Sequence, residues 1–151
     1  MKDTNQALRT IAIFALAGVG LSIFSLLHNQ GLADGTACTL GEVFNCDLVN
    51  LSRYSKIFGI PVALLGILGY GFIVLTSLLL LFRPYDRGVF ILLLLSSIGG
   101  LLFALYLTAI EAFVLYAWCI VCLTSQALIF SIFLMSLYVW RRLPSLELHE
   151  E

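Results

Sequence analysis

The chain has 151 residues, of which 61% are hydrophobic and 11% charged, with a formal net charge of −1. A soluble domain of this size carries about 25% charged residues, so the composition excludes one and points to an integral membrane protein. With no basic tract and no interleaving of aromatic and basic residues, it excludes a nucleic-acid partner as well.

A hydrocarbon core about 30 Å thick takes roughly 20 apolar residues of helix. Four stretches reach that length, 10–28, 60–82, 88–111 and 117–140. The first follows Lys2 and Arg9 as a signal peptide would, but its run is longer than an h-region and no small-residue cleavage site closes it. It reads as a span that meets water at His28-Asn29-Gln30. Lys2, Arg9, Arg83, Arg87, Arg141 and Arg142 lie at one set of span ends, against Arg53 and Lys56 at the other, which predicts both termini in the cytoplasm. His28 and His149, at a span end and in the charged tail, have no second ligand candidate beside them and read as solvated.

Loop 29–59 then faces outside, and Gly31, Gly35 and Gly41 make its first half turn-rich. From Asp47 onward, Leu48, Leu51, Tyr54, Ser55 and Phe58 recur every three or four residues with Asn50, Arg53 and Lys56 between them. That spacing predicts a short amphipathic helix at the membrane interface, ended by Gly59-Ile60-Pro61, with Pro61 in the first turn of the second span. Gly66, Gly69 and Gly71 in the second span and Ser96, Ser97, Gly99 and Gly100 in the third read as helix-packing positions rather than a ligand path. Arg83-Pro84-Tyr85-Asp86-Arg87 is a tight cytoplasmic turn that makes these two spans antiparallel neighbours. The prediction is an all-α integral membrane protein. It is a single domain over 1–143, built as a four-transmembrane-helix bundle with an outer loop and a short interfacial helix between helices 1 and 2, and followed by a polar cytoplasmic tail, 144–151.

The four cysteines fall into two close pairs, both on the outer side, where disulfides persist. Cys38 and Cys46 lie in the loop, whereas Cys119-Ile120-Val121-Cys122 sits at the outer mouth of the last span. At i and i+3 the latter two sulfurs share one helix face and can close a disulfide, and the free N–H groups and dipole of a first helical turn favour a thiolate on Cys119. Cys38 and Cys46 are separated by seven residues and no His accompanies either pair, so no metal site is expected. A water-side pair can exchange with an outside dithiol protein and a membrane-edge pair can meet a lipid-soluble oxidant, each transfer being thiolate attack on a disulfide. Cys119, nearer water, is the natural partner of a loop sulfur, and Cys122, about one turn deeper, faces the lipid-borne ligand.

Phe113-Val114-Leu115-Tyr116 leading into Cys119-Ile120-Val121-Cys122, together with Cys46-Asp47, Ser52 and Phe58-Gly59-Ile60-Pro61, resembles the vitamin K epoxide reductase family. The resemblance runs from about Leu21 to the end of the last span, and Ser52 follows Cys46 by six residues as in that family. It implies a quinone pocket (ubiquinone or menaquinone type), Cys119 and Cys122 as active-site pair, and Cys38 and Cys46 as shuttle pair. Cys46 would exchange with Cys119, Cys122 would react with the quinone, and Ser52 would support the site by hydrogen bonding. Animal members carry a Tyr four residues after the second active-site Cys, where this chain has Gln126. Gln126, on the face of Cys122, reads equally as a donor to a quinone carbonyl or as an inter-helix contact. Glu111, near the outer end of the third span, reads as an interfacial carboxylate or as a proton acceptor for the chemistry. The loop motifs resemble prokaryotic members of an inner (plasma) membrane. Many of these carry a fused thioredoxin-like domain, whereas this sequence ends eleven residues after Trp140, which implies a separate thioredoxin-like (DsbA-like) dithiol partner. The expected activity is quinone-dependent thiol oxidation in support of disulfide formation; epoxide reduction and a non-catalytic bundle with structural cysteines are the alternatives.

Overall fold

In lipid every backbone N–H and C=O must find its partner inside the protein, and a helix does this within its own segment. The computed structural model, which describes residues 2–33, 44–83 and 86–147, is accordingly helical wherever the sequence is continuously apolar. Its elements are α1 (Lys2–Asn29), the short α2 (Cys46–Asn50), β1 (Lys56–Ile57), β2 (Ile60–Pro61), α3 (Val62–Phe82), α4 (Arg87–Ile110) and α5 (Ile120–Glu147). Asp3–Asn29, Val62–Phe82, Arg87–Leu115 and Ile120–Arg142 are long and apolar enough to cross a membrane. α1 and α4 each pack against both α3 and α5, so this is the multi-pass four-helix bundle that the sequence predicts.

Two spans, α1 and α5, differ in their bounds from expectation. α1 begins at Lys2 rather than Thr10 and buries Leu8, Ile11 and Ala15 in the common core, as a full member of the bundle. α5 begins at Ile120 rather than at 117, because Tyr116 adopts a left-handed conformation (φ 50°) that interrupts the helix, and it runs past Trp140 to Glu147.

The interfacial helix ends sooner than its periodicity predicts. Asn45 caps α2 by accepting from the Leu48 N–H (3.0 Å), but helix stops at Asn50. Beyond it Ser52 Oγ donates to the Val49 carbonyl and Ser55 Oγ to the Ser52 carbonyl, both at 2.8 Å, giving the backbone an alternative to helical pairing. A single 3₁₀ turn at Arg53–Ser55 leads into the β1–β2 hairpin. Its two turn residues, Phe58 (φ 51°) and Gly59 (φ 83°), both have positive φ, the pattern of a type I′ turn.

Toward the end that carries both chain termini the bundle is dry. Leu8, Ile11, Leu80, Phe90, Leu93 and Val139 are buried together, and Phe90 stacks on Trp140 at 5.6 Å between ring centroids. Buried Ser77, Ser97 and Ser136 donate to carbonyls of their own helices, so they serve as small packing residues. Nearer the other end Gly18 lies beneath the Tyr70 ring, where a Cβ would meet ring carbons at 2.5 Å. Gly66 and Gly100 pack as expected, since a Cβ there would meet Ser22 Oγ at 2.6 Å and Ile129 Cδ1 at 3.0 Å, but nothing lies within 4 Å of where a Gly69 Cβ would stand, and with Ser96 all three line a cavity. Cys38 with Gly35 and Gly41 of the outer loop, Pro84 and Tyr85 of the turn, and His149 of the tail lie outside the described residues.

Candidate active site

Two short links bring Cys46 to the last span. Asn45 N donates to the Trp118 carbonyl (3.1 Å), and Phe44 pairs with Trp118 as an isolated parallel bridge, so the loop lies along the segment just before α5. Cys46 and Cys119 are thereby buried together, at 1% and 3% exposure, with their sulfurs 3.7 Å apart. That is contact distance for two sulfurs, short enough for one to attack the other.

On its other side α2 is pinned to α1 by a polar network that sequence reasoning missed. His28 is buried rather than solvated, with Nε2 2.6 Å from Asp47 Oδ1 and Nδ1 2.7 Å from Asn50 Nδ2. An amide nitrogen only donates, so Nδ1 accepts and Nε2–H donates to Asp47. The same Asn50 amide donates to the Ser25 carbonyl (2.9 Å) and accepts from Ser25 Oγ (3.0 Å). Asn29 adds bonds to the Asn50 carbonyl and to Ser55 Oγ. A His at the end of a span, followed by a loop that carries Asp47 and Asn50, is the only signal the sequence offers for this clamp.

Cys119 stands just before α5 and acts as its cap: the Cys122 N–H donates to Cys119 Sγ (3.3 Å). Hydrogen bonding from the Cys122 thiol, and then from the Cys122 backbone, holds the Cys119 thiol below the ordinary cysteine range, although burial and the nearby Glu111 carboxylate push the other way. Glu111 itself is 2% exposed and is no interfacial carboxylate in contact with headgroups. A π-helical turn, Glu111–Leu115, ends α4 and carries this side chain under the start of α5, where Oε2 accepts the Cys119 N–H at 3.2 Å.

Behind the dithiol lies a cavity of ≈ 240 Å³ between the halves of the spans nearer the cysteines. Its wall is mostly apolar, with Leu21, Ile73, Phe103 and Leu107 among its residues, and Cys122, Glu111, Ser52, Tyr70 and Ser125 are its chemically active members. Tyr70 Oη donates to the Ser125 carbonyl (2.7 Å) and lies 2.8 Å from Ser125 Oγ, a pair that the sequence alone did not single out. A pocket that swallows a whole drug-sized ligand has about 300–1,000 Å³, so this one suits a ring-sized headgroup whose tail remains in lipid.

Of the residues expected at a ligand, Cys122 and Ser52 are on this wall and Gln126 is not. Ser125 and Gln126 point about 100° apart around α5, and the cavity lies on the Ser125 side. The Gln126 amide oxygen accepts from Thr108 Oγ1, an inter-helix contact, and its side chain borders a separate groove with Leu101, Leu105 and Phe130.

A four-helix membrane protein with a capped dithiol at the mouth of an apolar cavity, and a third cysteine in contact with that dithiol, has the parts of a membrane redox protein. The sequence model of the vitamin K epoxide reductase family matches residues 9–137. The chain is also similar to vitamin K epoxide reductase complex subunit 1 of Rattus norvegicus (35% identical over 133 residues, 80% of this chain and 83% of the relative) and of Mus musculus (34% over the same shares). The chain belongs to the vitamin K epoxide reductase family, and its function is that of a membrane oxidoreductase.

Proposed function

We propose that the protein oxidises dithiols outside the cytoplasm at the expense of a membrane quinone. Electrons pass from a separate thioredoxin-like protein to Cys38 and Cys46, from Cys46 to Cys119, and from the Cys119–Cys122 pair to the quinone. The observation that carries this reading is the alignment of three sulfurs, Cys46 at 3.7 Å from Cys119 and Cys122 on the wall of the cavity beyond. The residues present fit a quinone: a ring-sized apolar space, hydroxyl groups of Ser52, Tyr70 and Ser125 along it, and the dithiol at one edge. A bound quinone supplies the two-electron acceptor; the chain's own residues hold it, exclude water and position the thiols. The concentration of Lys2, Arg9, Arg83, Arg87, Arg141 and Arg142 at the span ends away from the cysteines supports termini in the cytoplasm. An inner (plasma) membrane, with ubiquinone or menaquinone as the acceptor, follows from the resemblance of the loop motifs to prokaryotic members.

In the transfer step Cys46 Sγ, as thiolate, attacks Cys119 Sγ of the Cys119–Cys122 disulfide, Cys122 leaves as thiolate, and Cys38 then attacks Cys46 to release Cys119, so a Cys46–Cys119 bond is the obligatory intermediate. A Cys122→Ser variant should accumulate it, visible by mass spectrometry. Finding Cys119 unmodified, or paired only with Cys38, would sink this route. The name of the rodent relatives supplies a second reading, an epoxide as acceptor. Assays of quinone and vitamin K epoxide turnover side by side decide between the two, and clear epoxide reduction would favour the second.

A further inference from the structure

Glu111 is the only acidic side chain on the cavity wall, and among the described residues no Lys, Arg or His lines the cavity to balance it. A carboxylate at 2% exposure in an apolar setting is expensive unless it is used. Its hydrogen bond to Cys119 N does not need a charge, since the amide oxygen of a Gln would accept that N–H equally well. The same carboxylate is in hydrogen-bonding reach of the Cys122 thiol. It therefore touches both halves of the dithiol and the space in front of it.

On the reading that this dithiol is oxidised by a quinone, two electrons leave the sulfurs and two protons must reach the acceptor. We propose that Glu111 is the catalytic proton carrier of this step: it takes the proton from Cys122 Sγ and gives it to a quinone oxygen. The Cys122 S–H bond breaks, a bond forms between Cys119 Sγ and Cys122 Sγ, and the electron pair released reduces the quinone. One proton of the resulting hydroquinone is that of Cys122, delivered by Glu111; the other comes from water, because Cys119 enters the step as thiolate. The titratable groups at the carboxylate are Cys119, just before α5, and Cys122, in α5; Cys46 of α2 packs against Cys119, and Tyr54 and Tyr70 lie on the same cavity wall.

The test is Glu111→Gln, with Glu111→Asp beside it. General acid–base groups contribute about 10²–10⁴-fold. Glu111→Gln should lower kcat for quinone-dependent dithiol oxidation about 100-fold or more, with KM for a short-tailed quinone within threefold, and Glu111→Asp should recover part of the loss. A quinone-free readout has the opposite sign. Removing the negative charge beside Cys119 should move the pH midpoint of Cys119 alkylation, resolved by mass spectrometry, downward, so this thiol becomes more reactive while quinone reduction slows. Turnover within tenfold of wild type, or a fall with the Cys119 midpoint unmoved or raised, overturns the proposal, the second result marking mere structural damage. If the wild-type protein turns over no quinone, the function proposed above fails together with this role; wild-type turnover left intact by Glu111→Gln rejects the role of Glu111 alone.

Discussion

At the end of the bundle that holds both termini, Phe90 stacks on Trp140, Leu8, Leu80 and Val139 close the space around them, and the buried serines turn their hydroxyls back on their own helices. At the other end glycines and serines leave room between the same four helices, and His28, Asn50, Glu111 and Tyr70 hold polar contacts across it. Lipid gives apolar side chains no drive to associate, so the first region holds by dispersion and close fit. The second spends some of that cohesion on a cavity and recovers it through hydrogen bonds that the low dielectric strengthens. Stability and chemistry are thus separated along the length of the bundle, and substitutions in the two regions should fail in different ways.

Phe90→Ala should show the largest effect on stability, about 3 kcal/mol, the low end of the Phe→Ala range because the transfer part is missing when the reference state is also lipid. Denaturation in mixed micelles measures it, and thiol exchange by the protein that remains folded should be normal. A stability loss with equal damage to thiol exchange would break the division between the two regions. Asn50→Ala should cost about 2 kcal/mol of loop docking, since it takes the partners from His28 Nδ1 and Ser25 Oγ in largely buried surroundings. Its readout is the yield of Cys46–Cys119 disulfide in the Cys122→Ser background, which should drop markedly while the melting transition of the helices barely shifts.

A third expectation concerns acidity. Cys119 is lowered, so it is a thiolate above a midpoint that lies under the ordinary value of about 8.5, and its alkylation should persist to lower pH than that of a free cysteine. Cys122→Ala removes the largest cause of this lowering and should raise the midpoint. Smallest of all, Ser97→Ala should change stability by about 0.5 kcal/mol or less, because Ser97 Oγ bonds only the Leu94 carbonyl, which is already paired within its helix. A larger loss would show that the dry end relies on polar contacts after all.

What the sequence reveals here follows the range of the interactions involved. The spans are written in local hydropathy, and Cys119 and Cys122 are linked by a three-residue spacing, so both can be read without knowing what packs where. Gln126 shows what a spacing argument leaves open: i+4 from Cys122 allows a ligand contact or an inter-helix contact, and the neighbouring helices put the cavity on the side of Ser125 and Gln126 against Thr108. For Glu111 the sequence leaves a headgroup contact and a proton acceptor side by side, because its place near a span end is local information, whereas the π turn that swings it under α5 depends on contacts between elements. His28 is the same case, since its partners Asp47 and Asn50 are 19 and 22 residues away. The periodicity after Asp47 is real, but Ser52 and Ser55 divert the backbone before a second helical turn can form.

The cap on α5 carries one more consequence. The sulfur that receives the Cys122 amide proton is the sulfur that changes partner and charge whenever Cys119 reacts. A thiolate is a good acceptor and a disulfide sulfur a poor one, so the first turn of this helix tightens and frays in step with electron transfer. The backbone amide of Cys122 is therefore a built-in gauge of oxidation state, and its NMR shift or hydrogen-exchange rate reads the progress of the catalytic cycle without any added label.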